Sequence, residues 1–198
     1  VDNLIISGFN MAALSNGGEL VVKNSTFKNN NTIIESYGKT TLENSIFEEN
    51  NSNSYLFYNI ENNDSELTIS GSFVRNNNLS NNSIMIAENN TTTNIAGTLF
   101  ENNTITTDDG NNYNIIEIWG YEDNPAILNI SGSAFQNNKS DSGSIIRVFG
   151  EDDKVTISGS KFLNNETYNG LIWNHSEDLS NGGAIEQFIG GTIEISNS

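Results

Sequence analysis

The chain has 198 residues, enough for one domain with a continuous core, and a formal net charge of −17 from 8 Lys and Arg against 25 Asp and Glu. So acidic a surface repels phosphate backbones and anionic membranes, which excludes nucleic acid as an expected partner. There is no cysteine, hence neither a disulfide framework nor a thiolate metal site, and no segment reaches the roughly 18 to 20 apolar residues of a membrane span.

Val1-Asp2-Asn3 leads directly into the strand-like Leu4-Ile5-Ile6, and the chain stops inside a repeat at Ile195 to Ser198. Both ends read as cut from a longer protein, with residues 1–198 forming a single domain. Asparagine makes up about one residue in five. It alternates with Ile, Leu, Val and Phe, which argues against a disordered low-complexity tract.

One unit returns along the whole length: apolar, Ser or Asn, Gly or Asn, Ser or Thr, any residue, apolar, two of any kind, Asn. Its first clear copy runs from Val22 to Asn30 with Phe27 at the second apolar place. Copies follow at Leu42 to Asn50 with Phe47 and at Ile69 to Asn77, where the aromatic moves to Phe73 and Val74 takes the apolar position. Further copies are Ile95 to Asn103 with Phe100, Ile130 to Asn138 with Phe135, and Ile157 to Asn165 with Phe162. Worn copies begin at Ile6 and Ile195. Each unit opens on period-two alternation, as in Glu66-Leu67-Thr68-Ile69, and so predicts a half-buried strand. A second apolar strand follows each copy: Ile33-Ile34, Leu56 to Tyr58, Ile84 to Ile86, Ile115 to Ile118, Ile145 to Val148, and Leu171 to Trp173.

Units this short cannot bury a face alone, but stacked at about 4.8 Å each strand pairs with its equivalent in the next coil. The expected fold is all-β, a right-handed single-stranded parallel β-helix of about eight coils. A β-propeller needs longer blades of four strands and does not fit the spacing. Leu67, Ile69, Leu128, Ile130, Val155 and Ile157 should form inward columns, and Phe27, Phe47, Phe100, Phe135 and Phe162 an aromatic stack with Val74 in line. Asn30, Asn50, Asn77, Asn103, Asn138 and Asn165 should form an amide ladder, since an amide both donates and accepts. Length varies after the asparagine turn, most in Thr104 to Asn112, and such insertions project from one edge where solenoids bind.

Phe-x-x-Asn repeats together with Gly182-Gly183-Ala184-Ile185 resemble the chlamydial polymorphic outer membrane proteins and the adhesin-like proteins of methanogenic archaea; the Asn-rich, cysteine-free, acidic style is most similar to the archaeal set. The resemblance implies a surface-exposed β-helix acting in attachment, secreted and extracellular, with other cell surfaces, glycans or copies of itself as partners. Its motifs are architectural and speak more for fold than for function.

For chemistry the sequence offers little. A lyase acting on acidic polysaccharide needs cations, and the only arginines are Arg75 and Arg147 in different coils. Acidic clusters recur after the second strand, at Glu61 to Asp64, Glu88 to Asn90, Glu122 to Asn124, Glu151 to Asp153, and Glu177-Asp178. Stacked carboxylates invite Ca²⁺, with Asp123, Asp152, Asp153 and Asp178 as candidate ligands, although no segment has EF-hand or calcium β-roll spacing, and a solvated acidic edge is the simpler reading. His175, the only histidine, has no identifiable catalytic partner. Trp119, Trp173, Tyr121, Tyr37 and Tyr168 lie at or near second-strand ends, where they could stack on sugar rings or merely cover the coil edge. Candidate N-glycosylation sequons begin at Asn24, Asn30, Asn63, Asn78, Asn102, Asn129, Asn138, Asn165 and Asn174. The sequence therefore predicts a non-catalytic adhesin or stalk presenting edge loops, with no cofactor unless Ca²⁺ binds. A polysaccharide-cleaving enzyme and a self-associating filament subunit are the alternatives.

Overall fold

The computed structural model describes residues 1–62, 65–121, 123–150, 152–168, 170, 172–174, 185–187 and 192–196. Among these residues there is no helix, and the strands form four sheets whose ladders are all parallel. The chain is a parallel β-helix. Each full coil visits the sheets in the same order. The first sheet has seven strands, from Glu19–Lys23 to Thr192–Ser196, and the second has seven, from Ile5–Ser7 to Lys161–Leu163. The third has five very short strands, from Asn51–Ser52 to Glu166–Thr167, and the fourth has eight, from Ala12–Asn16 to Ile185–Gln187.

Strand parity sets the core, because alternate side chains point inward. In the first sheet Leu67 pairs in register with Thr93, then Leu128, then Val155, and Ile69 with Ile95, Ile130 and Ile157. All of these are buried, as the alternation requires. In the second sheet the Phe rings stack: Phe27 on Phe47 at 5.1 Å, Phe100 on Phe135 at 4.7 Å, and Phe135 on Phe162 at 5.0 Å. Val74 is buried between the two runs of rings, and Phe73 is turned outward, 41% exposed.

The amide ladder is hydrogen-bonded from coil to coil. Asn103 Nδ2 donates to the carbonyl of Val74 at 2.8 Å and to Asn138 Oδ1 at 2.9 Å. Its own Oδ1 accepts from the backbone N–H and the Nδ2 of Asn77 at 3.1 and 2.9 Å. The same pattern holds at Asn77 and Asn138, and at Asn50 Nδ2 donates in the same way while Oδ1 accepts the Asn30 N–H. The Phe-x-x-Asn spacing follows from it, since the carbonyl that accepts belongs to the Phe or Val of the preceding coil. A second ladder runs through the Ser or Thr of the motif. Ser45 Oγ, for example, accepts from the Ser25 N–H at 3.1 Å and donates to the Glu43 carbonyl at 2.9 Å.

Two turns per coil need a left-handed residue. One lies at the Gly or Asn before the Ser/Thr ladder: Asn24, Asn44, Gly71, Gly97, Gly132 and Gly159, with φ between 49° and 56°. The other lies just before the ladder asparagine: Asn29, Asn76, Asn102, Asn137 and Asn164, with φ between 53° and 55°. At this second turn Glu49, φ 55°, is the exception. Asparagine tolerates this region, whereas glutamate pays the steric cost of its Cβ with no local compensation. Glu49→Asn is therefore expected to raise stability by about 0.5–1 kcal/mol, read as a higher urea midpoint at unchanged slope. An unchanged midpoint would show that the turn carries no strain.

Candidate functional site

The outer face of the fourth sheet carries the groove. Register places Tyr58, Ile86, Glu117 and Arg147 side by side on successive coils, and Glu88 beside Trp119 one step further along. Phe149, just past the strand end, packs against Trp119 with ring centroids 5.0 Å apart, and Tyr55 lies 4.4 Å from Tyr58. The insertion predicted from chain length contributes to the wall, with Gly110 to Tyr113 lining the same groove. The groove is open to solvent on one side and holds about 540 Å³, within the range of a small-ligand site.

The wall is built, not merely long. Asp109 accepts from Thr107 Oγ1 at 2.9 Å, the Asn111 N–H at 2.9 Å, Asn111 Nδ2 at 3.0 Å and the Tyr113 hydroxyl at 2.8 Å. Those donors, the Asn111 N–H foremost, hold its carboxyl down at about 2. Asn81 ties the loop to the preceding coil through a mutual pair with Asp108 at 2.6 and 3.0 Å. Asp141 accepts from the Thr107 N–H at 3.3 Å on the following side.

Glu117 and Arg147 form the floor. Glu117 is 5% exposed, and its carboxylate accepts from Arg147 Nη1 at 3.3 Å, Ser83 Oγ at 3.0 Å and Asn114 Nδ2 at 3.2 Å. Arg147 also stacks over the Phe149 ring at 5.0 Å. Burial lowers the arginine below its ordinary range, and the Glu117 charge works against that shift. Arg147 points outward from its strand, yet its side chain is only 14% exposed, covered rather than solvated.

Glu88 stands at the junction with a smaller cleft of about 210 Å³ lined by Glu61, Glu88, Asn89, Trp119 and Tyr121. The Tyr58 hydroxyl donates to Glu88, and burial, then this bond, push that phenol well above its usual range. The Glu61 N–H donates to the other Glu88 oxygen at 3.3 Å.

No family model, curated protein or solved structure matches this chain.

Of the aromatics expected at the strand ends, Trp119 lines both clefts and Tyr121 the smaller one. Tyr37 and Tyr168 are not among the lining residues, and the side chain of Trp173 lies outside the described residues. Tyr55, Tyr58, Tyr113 and Phe149 were missed. The available signal was the pair Trp119-Gly120 and Phe149-Gly150, an aromatic-glycine step repeated at the end of two fourth-sheet strands.

Asp153 is a correction. It is fully buried, not part of an acidic edge, and its carboxylate accepts three backbone N–H groups, from Gly120 at 3.1 Å, Ala126 at 2.8 Å and Gly150 at 2.8 Å. A calcium ion there would have to enter a sealed site and compete with these three donors. Asp123 and Asp152 are exposed, joined by the Asp123 N–H donating to Asp152 at 3.4 Å. Among the described residues no cluster of three or more His, Asp or Glu is placed to hold a metal. Asp178 and His175 lie outside the described residues.

The sequons divide in the same way. Asn30 and Asn138 are buried, and the amide nitrogen that a glycan would use is spent on the ladder. Asn165 is half-buried, with its amide donating to the Phe135 carbonyl at 2.9 Å. These three are ladder residues and not open acceptors. Asn24, Asn78 and Asn102 are exposed and Asn129 is half-buried. Asn63, and the side chain of Asn174, lie outside the described residues.

Proposed function

We propose that this chain is a non-catalytic segment of a cell-surface attachment protein and that the groove on its fourth sheet seats a glycan. The observation that carries this reading is the row of rings, Tyr55, Tyr58, Trp119 and Phe149, set against a wall fixed by its own hydrogen bonds. Aromatic faces take the apolar faces of sugar rings, and the lining amides Asn82 and Asn112 take hydroxyls. A preformed groove also binds without the entropy cost of ordering a loop.

The charged groups favour binding over turnover. A glycoside hydrolase needs two carboxylates facing the scissile bond. Here Glu117 is committed to Arg147, Ser83 and Asn114, which leaves Glu88 alone among the carboxylates lining the groove. A lyase needs a cation free for the substrate carboxylate, and Arg147 is held by Glu117 and Phe149.

A glycan array followed by titration calorimetry tests the reading, with Trp119→Ala as the paired variant and a reducing-end assay on the ligands found. Binding without turnover is expected, weakened at least about tenfold in the variant, or roughly 1.4 kcal/mol. An array with no signal overturns the glycan seat, and release of reducing ends overturns its non-catalytic character.

A further inference from the structure

The smaller cleft differs in chemistry from the groove it adjoins. Its five lining residues supply two carboxylates, Glu61 and Glu88, one amide, Asn89, and two ring systems, Trp119 and Tyr121. None of the five is a cation. Both Glu88 oxygens are already aimed, one by the Tyr58 hydroxyl and the other by the Glu61 N–H. Asn89 is more than nine-tenths buried, at 8% exposure. Its Nδ2 donates to Glu61 Oε2 at 3.1 Å, yet its Oδ1 has no hydrogen-bond partner within the protein. A buried acceptor left without a donor is costly, and buried polar groups in folded proteins are otherwise paired.

We propose that this cleft receives the protonated amino group of an aminosugar, so that the glycan bound in the groove carries free amines. An ammonium group has three donors and no acceptor, which suits a site whose only charged groups are the two carboxylates and whose one unpaired buried group is an amide oxygen. Its charge is also attracted by the faces of Trp119 and Tyr121. A sugar hydroxyl would satisfy one oxygen but leave both carboxylate charges unanswered. A calcium ion wants six to eight oxygen ligands, and a cleft half-walled by rings does not supply them. The two clefts share Glu88 and Trp119, so one oligosaccharide can lay its rings along the groove and its amine in the smaller site.

This inference rests on the groove being a glycan seat, and the test separates the two. Calorimetric titration of the chain compares a glucosamine tetramer, its fully N-acetylated counterpart and a cellulose tetramer, at mildly acidic pH and low salt. The amine form should bind about tenfold more tightly than either neutral ligand, a margin of about 1.4 kcal/mol. That preference should shrink as salt screens the exposed Glu61. Glu61→Gln should remove most of the preference while leaving the neutral tetramers within about twofold, as expected when one charge of an ion contact is deleted. Glu88→Gln is the second variant, read only as the ratio of amine to neutral affinity, which should also fall; because Glu88 lines the groove and holds Tyr58, affinity for the neutral tetramers falls with it. Equal affinity for amine and acetylated tetramers overturns the amine site and leaves the groove standing. Failure of all three ligands to bind overturns both. Competition by calcium chloride, beyond that of sodium chloride at equal ionic strength, assigns the oxygens to a metal instead and also overturns it.

Discussion

Asn103→Asp lowers stability by about 4 kcal/mol at neutral pH, whereas the adjacent Asn102→Asp costs less than about 0.5 kcal/mol. The two asparagines sit next to each other and do different work. Asn102 is exposed, with its backbone at φ 53°, a conformation aspartate also tolerates. Asn103 is fully buried and donates through Nδ2 to the Val74 carbonyl and to Asn138 Oδ1. An aspartate there turns both donor contacts into oxygen facing oxygen at under 3 Å, with a charge and no counter-ion. The carboxyl keeps its proton to higher pH in the folded chain than in the unfolded one, where it ionises at about 3.9. The folded state then binds more protons between those values, so the deficit grows as pH rises from about 4 to 7 and shrinks as pH falls. It does not vanish in acid, because a protonated carboxyl donates once and the amide donates twice. Urea unfolding of both variants at neutral and acidic pH checks this. A deficit independent of pH would mean that the coil opens to water at Asn103.

The columns of the solenoid are readable in sequence because stacking imposes the same demand on every coil. An inward place is apolar each time, and the ladder post needs a group that donates and accepts each time. The asparagine one place earlier repeats for another reason, backbone handedness, and the two roles merge into a simple Asn-Asn pair until φ is known. The groove was harder to read because its members share no motif position. Tyr58, Ile86, Glu117 and Arg147 lie about 30 residues apart and meet only through the register of the fourth sheet. Coil lengths vary, so sequence separation does not reveal that register. The insertion after Thr104 was visible as extra length, but its wall depends on Asp109 gathering four donors, a local geometry that composition does not encode. Asp153 was legible and was misread. Val155 and Ile157 are inward, so the same parity places residue 153 inward too, and the acidic neighbours Glu151 and Asp152 masked it.

That buried carboxylate gives the second large effect. Asp153→Ala is expected to cost at least about 3 kcal/mol, because it strands the N–H groups of Gly120, Ala126 and Gly150, each worth roughly 1–3 kcal/mol when buried without a partner. On a chain stabilised by about 5–15 kcal/mol, that is a large share. No side chain can be added nearby to compensate. Even with the carboxylate gone, a Cβ on Gly120 would lie 2.7 Å from the Ala126 backbone nitrogen, and one on Gly150 would lie 2.2 Å from the Gly120 carbonyl oxygen. Both glycines are there so that two strand ends can close around one carboxylate. Asp153→Asn should fall between wild type and alanine, since one oxygen still accepts while the new NH2 faces an N–H. The consequence reaches the groove, because Gly120 follows Trp119 and Gly150 follows Phe149, the ring pair at its end. Asp153→Ala should therefore lower the unfolding midpoint and weaken glycan binding together, whereas Trp119→Ala should weaken binding with little change in the midpoint. Denaturation and calorimetry on the same preparations distinguish the two. An alanine variant as stable as wild type would mean that water replaces the carboxylate, and the turn would then be solvated rather than sealed.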